Sequence, residues 1–186
     1  MAWTNFAAGI FTAGQILTAA QMNTYVRDNI TAGGPCFLRV RRNTLQTTAT
    51  GAIAAINYDT EDVDTAGIFT ASSNRIIVAT AGLYQMSANV AIGTNATGVR
   101  GLLIFASSTV SGATDAATVT GGTRIAGVFA NAASGVQTSL NCSTLYSVTA
   151  GQAFSVGSYQ TCGGNLTIGN PAEEQTAFSI AYVGAV

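Results

Sequence analysis

The sequence predicts an all-β sandwich, and three observations support this fold class. Short runs rich in Val, Ile, Phe and Tyr recur along the chain, separated by clusters of Gly, Asn, Ser and Thr. One of these runs alternates strictly between apolar and polar or small residues. No helical period interrupts the series after residue 35. Such a series of strands favours two packed antiparallel sheets.

The predicted strands are short and begin after Pro35. They cover Phe37 to Arg42, Ile53 to Tyr58, Arg75 to Thr80, Leu83 to Ile92, Val99 to Ala106, Arg124 to Ala130, Val136 to Val148, Ala153 to Tyr159 and Thr176 to Val183. The run from Leu102 to Phe105 is apolar at every position. Both faces of that strand should therefore be covered, either inside the domain or by a neighbouring subunit.

The segment from Arg75 to Ile92 is the most regular part of the chain. From Tyr84 to Ile92, every second residue is apolar and the residues between them are polar or small. This spacing is typical of a strand with one buried face, which a second sheet must cover. Ala81 and Gly82 separate this strand from the β-branched run before it. We expect a tight corner there, because glycine adopts backbone angles that other residues avoid.

This corner also carries a family resemblance. The Ala-Gly-Leu-Tyr sequence that ends at Tyr84, followed by the alternating strand, resembles the jelly-roll domain of the complement C1q head and the tumour necrosis factor family. Four further stretches agree in order: an early strand with Arg-Asn-Thr at Arg42, then Ile56 to Asp59, Val148 to Gln152 and Phe178 to Tyr182. The resemblance covers about Pro35 to Val186. It implies a jelly-roll β-sandwich that packs as a homotrimer around a threefold axis.

If this resemblance holds, two long segments of small residues lie at the outer surface. They run from Ser107 to Gly122 and from Gly163 to Glu174. We expect both to be exposed loops, and any ligand contact to lie on them.

Composition limits the classes of function. The 186 residues suffice for one domain with a core, and only 8% are charged, against about 25% in typical domains. So little charge favours an exterior that copies of the chain partly cover; the alternative is a polar but uncharged exterior. The net charge of −1 argues against binding to nucleic acid or an anionic membrane. We expect no secretory signal and no membrane insertion, since no long apolar run occurs.

Residues 1–35 are predicted to form a separate arm and helix in front of the jelly-roll domain, residues 36–186. Thr18 and Gln21 have the spacing of a helix capping box, and Gly33-Gly34-Pro35 should end the helix. The apolar stripe of this helix, with the residue before its cap, is the candidate docking or oligomer surface. It consists of Leu17, Met22, Tyr25, Val26 and Ile30. A helix of about 13 residues depends on packing, against either its own domain or a partner.

This segment carries a second resemblance. The run from Leu17 to Asn29, preceded by Trp3 and a Phe-Thr-Ala-Gly sequence, resembles the start of many small structural proteins of tailed bacteriophages. In those proteins the N-terminal part attaches to the particle. The resemblance implies a virion protein that projects from a capsid or tail, is anchored through residues 1–35, and has a host surface glycan or protein as a further partner.

The sequence offers little for catalysis. With no histidine and no lysine, the usual general base and Schiff-base groups are missing, so we expect no enzyme and no cofactor. The acidic cluster Asp59, Glu61, Asp62 and Asp64 is predicted to be a solvated loop. A weak calcium site at Asp59, Asp62 and Asp64 and a catalytic carboxylate pair are the alternatives.

Two further hypotheses about function stay open. A secreted jelly-roll module that recognises glycans or proteins would fit the first resemblance, but we find neither an export signal nor a collagen-like stalk to support it. An enzyme that acts on surface polysaccharide would depend on the acidic cluster. The three cysteines lack metal-site spacing and are expected to be free thiols.

Overall fold

The structure is a computed structural model that describes Thr18 and residues 36–72, 74–107, 121–169 and 176–186. Within these residues the chain forms two antiparallel sheets. The strands are β1 (Phe37–Arg42), β2 (Gln46–Thr48), β3 (Ile53–Ala55), β4 (Thr60–Asp64), β5 (Phe69–Thr70), β6 (Arg75–Val78), β7 (Gly82–Ile92), β8 (Val99–Ser107), β9 (Thr123–Asn131), β10 (Thr138–Val148), β11 (Gln152–Gln160), β12 (Leu166–Ile168) and β13 (Thr176–Gly184).

The first sheet, sheet A, has the order β2-β12-β7-β13-β1-β4, and β10 also pairs with β7. The second, sheet B, has the order β5-β6-β11-β8-β9, and β3 also pairs with β11. Strands that are neighbours in the chain therefore often lie in different sheets. The chain crosses between sheets, for example, from β7 to β8 and from β9 to β10. The all-β sandwich predicted from the sequence is confirmed.

The core lies between the two sheets. Tyr84, Met86 and Phe178 of sheet A pack in one cluster with Ile104 and Phe154 of sheet B, and all five are buried. Tyr84 and Met86 belong to the alternating positions that the sequence marked as apolar. Each large apolar side chain buried in this way stabilises the fold by about 1.5–3 kcal/mol.

The predicted corner before β7 is present. Gly82 has a positive φ, and a Cβ atom there would collide with the Tyr182 ring and approach the Gly184 carbonyl oxygen. Glycine is therefore required by the close approach of β13 as well as by the backbone turn.

Three expectations about the strands are wrong. The acidic cluster was expected as a loop, but Thr60–Asp64 forms β4, which pairs with β1. The loop expected from Gly163 contains β12, Leu166–Ile168. The strand predicted from Ile53 to Tyr58 ends as β3 at Ala55. The sequence did not predict β4, because this strand forms through pairing with β1 and lacks apolar periodicity.

One charged side chain lies inside the sandwich. Arg100, on β8, is fully buried, and its guanidinium donates hydrogen bonds to the backbone carbonyls of Asn95, Thr97 and Val99 at 3.0–3.2 Å. The β7–β8 loop thus obtains a donor for carbonyl groups that would otherwise be costly to bury. The sequence reasoning did not identify this role.

The predicted arm and helix of residues 1–35 lie outside the described residues apart from Thr18, as does most of the segment from Ser107 to Gly122. The helix and the domain boundary after residue 35 stay predictions. In the part of the chain that the structure describes, no helix has the length and hydropathy needed to span a membrane.

Candidate interaction surfaces

The outward side of sheet A presents short, uncharged side chains. We define face A as the outward residues of β10, β7 and β13, because the alternate residues of these strands point into the core. The strand register aligns them in rows such as Ser143, Ser87 and Ser179. Face A comprises Ser139, Asn141, Ser143, Leu145, Ser147, Leu83, Gln85, Ser87, Asn89, Ser179, Ala181 and Val183. Ala91 and Ala177 lie on the same side of the sheet but are buried.

One end of face A is apolar. Leu145 is 57% exposed and Val183 is 56% exposed, and Leu83 lies between their strands on β7. Gln85 and Ala181 complete this end of the face, in one row with Leu145. Exposed leucine and valine beside a charge-free surface indicate a contact area for another protein.

Charges begin on β1, the strand next to β13, where Arg39 pairs with Ser179. Arg41, on β1, binds Asp62 of β4 with its Nε and Nη2 atoms at 2.6–2.7 Å, and Arg39 reaches the same carboxylate at 3.2 Å. The hydrogen bond from Arg41 lowers the pKa of Asp62 below its usual value, and the charges of Arg41 and Arg39 add to this effect. These groups hold β4 on the sheet edge.

Asp59 has a different set of partners. Its carboxylate accepts hydrogen bonds from the backbone amides of Asn43 and Thr44 and from the Thr44 hydroxyl, at 2.6–2.9 Å. Burial alone would raise the pKa of Asp59, but the hydrogen bonds from Thr44 and Asn43 together outweigh it and lower the pKa. Arg42 lies 3.4 Å from the same group. Asp59 therefore caps the turn after β1.

Asp64 is also used within the fold. It accepts hydrogen bonds from the backbone amides of Ala66 and Phe69, at 3.2 and 2.8 Å. The three aspartates considered for calcium thus serve three separate groups of partners. Among the described residues, no three His, Cys, Asp or Glu side chains converge as metal ligands would.

The outward side of sheet B, face B, is different. Leu103 and Phe105 of β8 are buried there in a second small cluster with Ala55 and Tyr159. This confirms that β8 is covered on both faces. Phe129 of β9 packs edge-to-face on Tyr159, with ring centroids 6.0 Å apart, yet stays 49% exposed. Face B therefore carries an exposed aromatic ring on a packed apolar base.

The cysteines are free thiols in the structure. Burial raises the pKa of Cys142 to about 11, so this thiol is protonated at neutral pH. Burial also raises the pKa of Cys36, with a further contribution from the charge of Asp64. Neither environment activates a thiolate nucleophile.

Sequence reasoning placed the candidate interaction residues at Leu17, Met22, Tyr25, Val26 and Ile30, which lie outside the described residues. It missed Leu145, Val183 and Phe129, because an exposed apolar residue in a strand looks like a core residue until the facing of the strand is known. The only sequence signal for these residues would have been a strand, β9 or β10, with apolar residues on both of its faces.

Solved structures with the same fold support this description. The chain is similar to Eiger TNF from S. frugiperda, with a TM-score of 0.59 and 10% identity over 82% of this chain and 94% of that chain. It is also similar to the globular domain of zebrafish complement 1qA, at 0.54 and 10% over 81% and 98%. Murine APRIL, in its pH 5.0 structure, gives 0.54 and 8% over 79% and 98%.

The chain has the jelly-roll fold of these proteins. The fold expected from the Ala-Gly-Leu-Tyr corner is thus confirmed, while identities of 8–10% show the fold alone. No family model matches the chain, and no curated protein matches it by sequence.

Proposed function

We propose that this chain is a non-enzymatic structural protein on the surface of a tailed-bacteriophage particle. Copies of the sandwich pack as a homotrimer through face A, and residues 1–35 attach the trimer to a capsid or tail protein. The outward jelly roll is then free to contact the host surface. The protein would be found in the virion, after assembly in the host cytoplasm.

The charge-free face A supports the self-association in this proposal. Its three strands, about 4.8 Å apart and rising about 3.4 Å per residue, span roughly 500 Å², which is more than half of the roughly 800 Å² per partner of a standard interface. Ser, Asn and Gln side chains both donate and accept hydrogen bonds, so a different surface of the neighbouring copy around the threefold axis can satisfy them. The exposed Leu145 and Val183 supply apolar area.

The particle attachment is supported by sequence only. The run from Leu17 to Asn29 resembles the start of phage structural proteins, and its stripe of Leu17, Met22, Tyr25, Val26 and Ile30 offers an apolar surface for a partner. The alternative is a jelly-roll module outside any virion that binds glycans or proteins. The likeness to TNF and complement domains favours that alternative as much as the first reading.

The test uses the full chain and measures two properties. Light scattering should give about 56 kDa, three times the 18.8 kDa of one chain. A Met22→Asp and Val26→Asp double variant should keep this mass but fail to join purified particles, because charges in the stripe prevent docking. The control, Asn23→Asp with Thr24→Asp, changes residues off the stripe and should join particles normally. Normal incorporation of the Met22 and Val26 variant would refute the anchoring role.

A further inference from the structure

A cleft of about 290 Å³ opens on face B, along the edge strand β9. Its lining comes from Arg124, Ile125, Ala126, Gly127 and Phe129. Its volume is close to the lower end of the range for ligand pockets, roughly 300 Å³. β9 is the last strand of sheet B, so among the described residues it pairs with β8 only. Within the described residues, the other backbone edge of β9, beside the cleft, is therefore unpaired.

A β-bulge brings a charge into this cleft. Opposite Ile104 and Phe105 the register shifts, so that Ile104 pairs with Ala126 but Phe105 pairs with Arg124. Ile125 is the extra residue, and it packs towards the main core with Ala126. Strict alternation would have turned Arg124 inward. The bulge instead places Arg124 on face B, to which Phe129 also points. Bulges beside binding sites often redirect a side chain in this way.

Two glycines form the space between the ring and the charge. Gly101 lies beneath Phe129, and a Cβ atom at Gly101 would come within 2.5 Å of the ring carbon Cε1. Gly127 lies between Phe129 and Arg124 on the same face, and a Cβ there would meet Leu103 at 2.6 Å and the Arg124 Cδ at 3.7 Å. Because neither glycine has a side chain, the cleft keeps an exposed ring at one end and a guanidinium at the other.

The Arg124 guanidinium is exposed, and it makes no hydrogen bond or ion pair with the residues that the structure describes. The arginines of β1 pair with Asp59 and Asp62, and Arg100 is bound to carbonyl groups. In a chain with seven basic residues, a free guanidinium beside an exposed ring is a specific feature. Its planar fork suits a carboxylate, which it can bind with two hydrogen bonds.

From this geometry we infer that the cleft binds an acidic sugar, with the apolar face of the sugar ring on Phe129 and its carboxylate on Arg124. The inference rests on the proposed function, in which the jelly roll faces the host surface, and it specifies the class of glycan. An acidic peptide is the competing ligand. The bulge at Ile125 limits the regular backbone edge of β9 to Ala126 through Asn131, so a peptide strand could not pair continuously from there to Arg124.

The experiment measures binding of full-length protein to a galacturonic acid oligosaccharide by calorimetry, with its methyl ester as the matched ligand control. Esterification, or Arg124→Gln, should weaken binding at least about tenfold, because a hydrogen bond to a charged group contributes more than the energy of a tenfold change. Phe129→Ala should remove binding, and Phe129→Tyr should keep it. Arg39→Gln and Leu45→Ala, both exposed and outside the cleft, should have no effect.

Three outcomes would overturn the inference. The first is equal binding of the acid and the ester, or no binding of either. The second is binding that survives both Arg124→Gln and Phe129→Ala while the molar mass and thermal unfolding of the variants match the wild type. The third is binding of an aspartate-rich peptide in place of the sugar, which would reject the sugar class. Failure of the proposed function would show separately, as a protein that is absent from particles.

Discussion

The outer faces of the two sheets expose different kinds of side chain to water. Face A carries rows of Ser, Asn and Gln with few large side chains, and its large exposed apolar residues, Leu145 and Val183, lie at one end. Face B buries Leu103 and Phe105 in a local cluster and exposes one aromatic ring, Phe129. A surface of short side chains suits a broad, flat contact, whereas a ring with glycines around it suits a small ligand.

The difference teaches that the scarcity of charge in this chain has two separate consequences. On face A it leaves an area that a second copy can cover without desolvating ions. On face B it isolates Arg124, because no described carboxylate lies near enough to pair with it. The same composition thus favours self-association on one side and anion recognition on the other.

The strongest test of face A is Leu145→Asp. A carboxylate enclosed between copies without a partner costs several kcal/mol, so the variant should fall from three chains to one in light scattering. In thermal unfolding, the variant should behave as a folded monomer whose two sheets are intact. Leu45→Asp is the matched control, since Leu45 is as exposed as Leu145 but lies outside face A. A trimer that persists in the Leu145 variant would locate the contact elsewhere.

The next test concerns face B. Gly101→Ala should destabilise the protein by about 1–3 kcal/mol, because the new Cβ would overlap the Phe129 ring and approach the Tyr159 Cβ at 3.2 Å. Denaturant unfolding measures the change. Gly164→Ala serves as the control, as a Cβ there meets no atom within 4 Å. Equal stability of the two variants would show that Phe129 moves away at little cost.

The smallest expected effect is at the edge of sheet A. The pKa of Asp62 is lowered in the folded state, so its contribution is present above the ordinary carboxyl pKa and is lost as pH falls through the lowered value. Asp62→Asn should therefore be slightly less stable than the wild type at pH 7, and the difference should vanish in acid. Thermal unfolding across pH measures this, and a difference that is independent of pH would contradict it. Exposed ion pairs contribute little, so face A should be unaffected.

Much of the fold was readable in the order of residues. The apolar alternation from Tyr84 to Ile92 has a period of two, which a strand imposes through its own geometry, and Gly82 marks the corner where the backbone and β13 leave no room for a side chain. Strand positions and the sandwich follow from such local rules. The scarcity of charge was also visible in the sequence, but the sequence did not show which surfaces would lack charged residues.

The pairing of strands and the facing of single residues required the three-dimensional arrangement. Thr60–Asp64 is a strand because β1 offers hydrogen bonds and arginines, and Arg124 faces outward because a bulge shifts its register by one residue. Both depend on contacts between residues far apart in the chain, which no local period encodes. For the same reason the sequence could not separate the exposed Leu145 and Phe129 from core residues, since burial is a property of the packed sheets.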